Sequence, residues 1–492
     1  MKQVYKSKKI ALNTSSLLVY QFLSIISGFI LPYLFLKNYG SEVYGLMTSI
    51  TQFLSLITLC ELGIGAVIQS NLYAPLVNQD WKMVDKIVTS SDRFFKKLAI
   101  ALILYVGVLI CLSPFITKGR FNVIYTISFI IILAIEAFTQ YYFGMTNKLL
   151  LDADQLTYIQ IFPSIIALII STTTSIVLIH YNYPIQVIKL LSVLIFLIKP
   201  IYMARYVNKN YNLNRSVRLS SEPIKQKWNG VSQHIAAVVL KNTDIAILTL
   251  FSTLSNVAVY SVYRLVLNGV ELALESISYS MTATLGHMIS QKDKNLRFFF
   301  SRFEIILHIL VVIIFTNTFI LIPSFIAIYT KGVGGNYQFP TFSLLIILAE
   351  AIYCTRLPYH LLIKAAGKYK ETQNSALIEA GLNLLCSSFL VFQFGLTGVA
   401  IGTLLAMLYR LFYYICFLSK NIIYRSVYEF IWLVIIDLTV VAAIILTVGE
   451  VQLYSLTYFY WLIQAVKVFM ISIVISLVLF YIFCKNKLRK LK

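Results

Sequence analysis

Fourteen apolar runs, most of them twenty or more residues long, follow one another along the chain and leave it few ways to fold. A run of that length is what a helix rising 1.5 Å per residue needs to cross a hydrocarbon layer roughly 30 Å thick. Within lipid every backbone donor and acceptor has to be satisfied inside the segment, which selects helices for runs of this kind. The runs lie at about 10–36, 44–69, 94–116, 122–145, 156–180, 185–207, 229–252, 257–288, 298–322, 338–362, 374–393, 396–419, 429–448 and 457–484. The basic start, Lys2 to Lys9, looks like the head of a signal peptide. The apolar run behind it continues past Gly28 to Leu36 with no small-residue cleavage pattern, so it is expected to be a retained first span.

Composition agrees. Hydrophobic residues make up 59% of the chain and charged ones 12%, with a mean hydropathy of +0.80, against about 45–50% and about 25% in soluble domains. The fold class is therefore an all-α polytopic membrane protein. A formal charge of +21 raises the question of nucleic acid. With the amino terminus inside, however, the basic residues gather in the segments between spans on one side. Examples are Lys82, Lys86, Arg93, Lys96 and Lys97, then Arg205 to Lys227, then Lys485 to Lys492. The outer side holds only Lys37, Lys118, Arg120 and Lys331. This asymmetry places both termini in the cytoplasm and accounts for the charge without a nucleic-acid partner. The expected location is a membrane, with the bilayer itself as a partner. The six cysteines lie in or beside apolar runs without paired ligand spacing, and neither they nor the five scattered histidines suggest a metal.

The outer loops are short. The longer connections are cytoplasmic: Leu72 to Asp92, which reads as an interfacial helix, and a basic segment around Pro223. Val257-Ala258-Val259-Tyr260 after the seventh span echoes Val43-Tyr44 after the first. We therefore expect two six-helix lobes related as parallel repeats. They would comprise 1–207, a linker 208–228, and 229–419, followed by two further helices and a basic tail over 420–492.

The eighth span is unusual for carrying charge. Arg264, Asn268, Glu271, Glu275, Ser278 and Thr282 recur at steps of three and four and so share a helical face. Charged groups at membrane depth are expensive and turn toward a cavity or a partner. Two readings follow for this face: lining of a wet translocation path, or an internal Arg–Glu pair locking helices together. If the halves face each other, their first two spans are the natural lining. Arg264, Lys241, Asn268, Gln52 and Gln21 are then candidates for substrate contact, with the cations holding a phosphate or carboxylate. Glu271, Glu275, Asp244 and Glu61 are candidates for binding H+ or Na+ as a coupling ion; no other cofactor is expected. Lys241 and Asp244, a helical turn apart, read equally well as a self-neutralising pair. Glu136, Lys189, Lys199, Glu304, Glu350, Arg356, Glu379, Arg410, Asp437 and Lys467 are further ionisable groups within spans, of which Lys189 and Arg410 look like snorkelling ends. Pro32, Pro163, Pro200 and Pro358 are expected to kink their spans.

Several short motifs carry a resemblance. They are Ala365-Ala366-Gly367-Lys368, Asn383 in the next span, and Gly395-Leu396-Thr397-Gly398-Val399-Ala400-Ile401-Gly402-Thr403. Near the start, Leu31-Pro32, Tyr39-Gly40-Ser41-Glu42-Val43-Tyr44-Gly45 and Glu61-Leu62-Gly63-Ile64-Gly65 add to them. In these stretches and in span layout the chain resembles the bacterial polysaccharide exporters, the Wzx-type oligosaccharide flippases. That superfamily also holds multidrug exporters and lipid II flippases. The resemblance implies alternating access by a two-lobed, non-enzymatic flippase. Its substrate would be an undecaprenyl-diphosphate-linked oligosaccharide repeat unit bound for capsule, O-antigen or exopolysaccharide, with polymerase machinery as a further partner. Drug exporters of the superfamily often rely on an acidic residue in the first span, and none occurs between Ile10 and Leu36. A membrane glycosyltransferase, polymerase or ligase would be expected to carry acidic, Arg or His residues on a substantial outer loop, which this chain lacks.

Overall fold

The computed structural model describes residues 2–61, 63–215, 217, 224, 231–449 and 455–490. Pro223 and the basic residues Arg218, Lys225 and Lys227 of the expected linker lie outside them, as do Leu62 and Lys492. The first helices are α1 (Lys2–Ser55), α2 (Ile64–Val77), α3 (Trp81–Thr117), α4 (Val123–Thr139) and α5 (Met145–Ala153). They are followed by α6 (Thr157–His180), α7 (Ile185–Phe196), α8 (Ile198–Asn210) and α9 (Val231–Phe251). Then come α10 (Leu254–Ser280), α11 (Thr282–Ser290), α12 (Leu296–Tyr329), α13 (Pro340–Thr355) and α14 (Leu357–Ala365). The chain closes with α15 (Tyr369–Phe394), α16 (Leu396–Asn421), α17 (Tyr428–Val448) and α18 (Tyr458–Lys490). Among the described residues there is no strand.

Among the described residues thirteen segments are long and apolar enough to cross a membrane. The first of them, Lys9–Glu61, has 53 residues, about 80 Å of helix, enough for two crossings. The interruption falls at Gly40, with φ 82° and ψ 168°, a backbone region essentially open to glycine alone. Counted this way the spans number fourteen, as the apolar runs predict.

Several elements differ from the sequence reading. The second span ends in a 3-10 turn, Leu56–Glu61, before α2 resumes. The expected interfacial segment over 72–92 is shared between the end of α2 and the start of α3, where Leu72, Val84 and Ile87 are buried while Val77 and Trp81 stay exposed. Asp80 caps α3 by accepting from the Met83 amide at 3.1 Å. Two of the four prolines stand beside a break: α7 gives way to α8 just before Pro200, and α13 to α14 just before Pro358, where a proline removes a helical bond and crowds the preceding turn. Helices α1 and α6 run through Pro32 and Pro163.

The chain divides into two compact units, Met1–Leu250 and Phe251–Lys492. The expected lobes place the span at 229–252 in the second, whereas this division carries most of α9 with the first unit. Polar groups of the second span meet α9. Gln52 and Ser55 both donate to Asn242 Oδ1, Ser49 and Thr249 hydroxyls meet at 2.7 Å, and the Thr58 carbonyl meets the His234 ring at 2.8 Å. The segment after α8 also docks on this unit: Tyr211 donates to Asp154 at 2.5 Å and Arg215 pairs with Asp92 at 3.1 Å.

In the second unit, α15 and α16 pack closely because Gly398 and Gly402 present no side chain to the facing helix. A Cβ at either would sit 2.2 Å from Leu390 O or Ser387 Oγ. Asn383 donates to Thr403 across the same interface at 3.1 Å. One apolar core gathers Phe300, Tyr359, Leu362, Tyr414 and Phe430; another joins α12, α17 and α18 through Ile305, Leu433, Ile436, Val440 and Phe480.

Candidate functional site

The second unit carries a continuous network of ionised side chains. Arg264 on α10 stands between two carboxylates: its Nη1 donates to Glu350 on α13, and its Nη2 donates to Glu271 at 3.2 Å. Glu271 and Glu350 are buried, while Arg264 keeps a quarter of its side chain exposed. One turn beyond Glu271, Glu275 accepts from the Tyr353 hydroxyl at 2.6 Å. Glu350 and Tyr353 are three residues apart on α13, which puts both on the side facing α10.

The network continues past the α13–α14 break. The Arg356 guanidinium lies over the Tyr353 ring, 4.8 Å from its centroid, and donates to Glu379 on α15. Arg410 on α16 approaches the other Glu379 oxygen at 3.7 Å and donates to the Tyr414 hydroxyl at 2.6 Å, which His360 also meets, at 3.2 Å. Three guanidiniums and four carboxyl groups thus lie along one network within the second unit. Arg410 does not snorkel. It is 3% exposed, since the side of α16 that carries it is packed within the unit.

A second charged cluster sits apart on α12. Arg425, in the segment between α16 and α17, is buried and grips Glu304 with both Nη nitrogens, Nη1 at 2.5 Å. Tyr359 donates to the same carboxylate, and His308 meets Asp437 of α17 at 2.6 Å.

The remaining sequence candidates fall as follows. On α10, Asn268 is exposed and Ser278 is buried, and Thr282 begins α11 after a turn at Met281, so the six-residue stripe is not one continuous face. In the first unit Gln52 bonds α9 through the Asn242 side chain and, at 3.3 Å, the Lys241 carbonyl. The Lys241 side chain is exposed, Asp244 is 4% exposed, and Gln21 is half-buried on α1. Glu61 accepts from Tyr141 at 2.5 Å.

That last bond borders a cavity of about 440 Å³ inside the first unit. Its wall includes Glu136 of α4, Lys199 of α8, Tyr20, Ser164, and both Gln140 and Tyr141. The last two belong to a π-helical turn, Gln140–Gly144, a local widening that often accompanies function. Glu136 lies within electrostatic reach of Lys189 and Lys199, and Lys189 also rests over the Phe35 ring at 4.5 Å. The sequence offered Glu136 on one span and Lys189 and Lys199 on another, with nothing to join them; only the packing of α4, α7 and α8 assembles them. Among the described residues no three His, Cys, Asp or Glu side chains converge as a metal site.

No protein-family model matches the chain, and no curated protein matches it in sequence. Solved structures match its fold. Lipid II flippase MurJ in an inward closed conformation superposes with a TM-score of 0.69 at 16% identity, over 95% of this chain and 98% of that one. A multidrug resistance MATE family transporter of the MOP superfamily, inward-facing, gives 0.66 at 11% identity, over 83% of this chain and 98% of that one. An outward-facing structure of such a transporter gives 0.58 at 11% identity, over 84% and 96%. The chain thus has the fold shared by these flippase and exporter structures.

Proposed function

We propose that this chain is a flippase. It carries undecaprenyl-diphosphate-linked oligosaccharide repeat units from the cytoplasmic to the outer leaflet by alternating access, for assembly of a surface polysaccharide. The observation that carries the reading is how much of the chain is matched. The likeness to the lipid II flippase reaches 95% of it, whereas the exporters, themselves almost fully covered, leave about a sixth unmatched. That remainder is about the length of two spans. A lipid-linked substrate also suits a protein with buried cations and polar cavities but no catalytic requirement, since its tail stays in the bilayer.

In this reading Arg264 of the second unit engages the diphosphate and Asn268 the sugar, and in the first unit, taken by itself, Lys241, Gln21 and Gln52 are further candidates for substrate contact. Arg264 is already held by Glu271 and Glu350, so phosphate has to displace a carboxylate. A proton or Na+ arriving at that pair would cancel one negative charge and free one edge of the guanidinium. Coupling ion and substrate would then bind together through a single arginine. Glu275 extends the same acidic group, and Asp244 and Glu61 supply further acids in the first unit.

The test is deletion of the gene in the source strain, measuring surface polymer and the leaflet that holds the lipid-linked repeat unit. Loss of polymer with finished repeat units on the cytoplasmic leaflet is the expected outcome. Normal polymer with heightened drug sensitivity would replace the reading with that of an exporter. Repeat units gathering on the outer leaflet would point to a polymerase or ligase.

A further inference from the structure

The cavity inside the first unit has a chemistry distinct from that of the Arg264 network. Four of its wall residues bear hydroxyls whose protons are already committed to main-chain carbonyls of their own helical segments. Thr51 donates to Met47 O at 2.9 Å; Thr58 to Ser55 O, Thr139 to Ile135 O and Ser164 to Gln160 O, each at 2.7 Å. A hydroxyl used in this way keeps lone pairs for an incoming donor. The wall is therefore rich in acceptors, and Glu136 and the Gln140 amide oxygen add to them. Donors are fewer: the Lys199 ammonium, the Tyr20 hydroxyl and the Gln140 amide nitrogen.

Formal charge in and around the cavity balances. Glu136 and Glu61 stand against Lys199 and Lys189, so the site exerts no net pull on an anion or a cation. A diphosphate, which needs an excess of cations, is poorly served here, and so is a lipophilic cation. A volume of about 440 Å³ lies within the roughly 300–1,000 Å³ typical of small-ligand sites. The aromatic faces of Tyr20 and Tyr141 offer apolar surface beside these polar groups.

A compact, uncharged ligand bearing many hydroxyl donors and some apolar faces is a saccharide. We infer that the cavity bounded by α1, α4, the Gln140–Gly144 turn, α6 and α8 is a saccharide subsite, taking part of the sugar head of the lipid-linked substrate. Gln140 and Glu136 read the sugar hydroxyls, and the widened turn is what aims Gln140 from α4. The assignment rests on the flippase reading for the origin of the sugar, but the binding chemistry stands on the cavity alone.

The experiment uses the full-length protein in nanodiscs and, as probe, the strain's own repeat-unit oligosaccharide released from its lipid by mild acid, with binding followed by calorimetry. Gln140→Leu and Glu136→Gln are each expected to weaken binding about tenfold, the worth of one well-made hydrogen bond. Thr139→Val, which keeps side-chain shape but removes an acceptor, is expected to weaken it less. Inorganic pyrophosphate is expected not to compete. Wild-type affinity in Gln140→Leu and Glu136→Gln, displacement of the sugar by pyrophosphate, or no binding by the unaltered protein at millimolar oligosaccharide would each overturn the assignment. If deleting the gene abolishes surface polymer while these variants bind as the unaltered protein does, the subsite fails and the flippase reading stands. If polymer survives deletion yet the variants lose binding, the flippase reading fails and the saccharide site stands.

Discussion

Arg264 shows what one residue can and cannot reveal in advance. Its presence in an apolar span marked it as functional or internally paired. The structure supplies both of its partners, of which Glu271 lay on the same expected helical face and Glu350 did not. Glu350 was visible only as a lone acid on another span, because pairing across helices leaves no periodic trace within either. Arg264→Ala should abolish export while the protein remains in the membrane. It should also cost roughly 3–5 kcal/mol of stability by leaving buried carboxylates without their counter-charge. The double variant Arg264→Ala with Glu350→Gln should recover much of the thermal stability in detergent but none of the export. Export by either variant would remove Arg264 from the transport mechanism. Arg425 teaches the converse lesson: it lies between two spans, in a short connection with polar neighbours such as Asn421 and Ser426, yet it is buried against Glu304.

Among the elements, spans were legible from apolar length, while their internal breaks were only partly so. Proline forecast the breaks before Pro200 and Pro358, yet α1 and α6 absorb theirs. The π turn at Gln140 and the 3-10 turn before Glu61 have no comparable sequence mark. Glycine proved more informative than proline. The motif around Gly398 and Gly402, noted first as a family likeness, has a steric cause in the close approach of α15 and α16. Gly402→Ala should therefore lower stability by about 1–3 kcal/mol, the usual cost of overpacking a tight interface, seen as a lower melting temperature in detergent. An unchanged melting temperature would show that the helices can part without penalty. Gly40→Ala acts differently, through a backbone conformation closed to alanine; the expected result is reduced accumulation of protein in the membrane.

At the scale of the whole molecule, the all-helical membrane fold followed from hydropathy, and the division into units did not. Loop length and charge set the expected boundary at the basic linker, whereas hydrogen bonds between α1 and α9 carry the first unit on to Leu250. Charge asymmetry still makes a prediction about orientation: a fluorescent reporter fused after Lys492 should be lit in the cytoplasm and a periplasm-dependent enzyme at the same place should be silent. The opposite result would invert the proposed direction of transport.

The grip of Arg425 and His308 on their carboxylates bears on how such a protein could be inherited. A chain of this fold that stopped at Asn421 would hold Glu304 in its interior without Arg425 and His308 without Asp437, and would bare the apolar side of α12 that Leu433, Ile436 and Phe480 now cover. The last two helices are thus not an appendage that a lineage could add or discard in one step. Removing them would leave His308 buried without Asp437 and bare the apolar face of α12, so their loss would cost the fold more than apolar area alone.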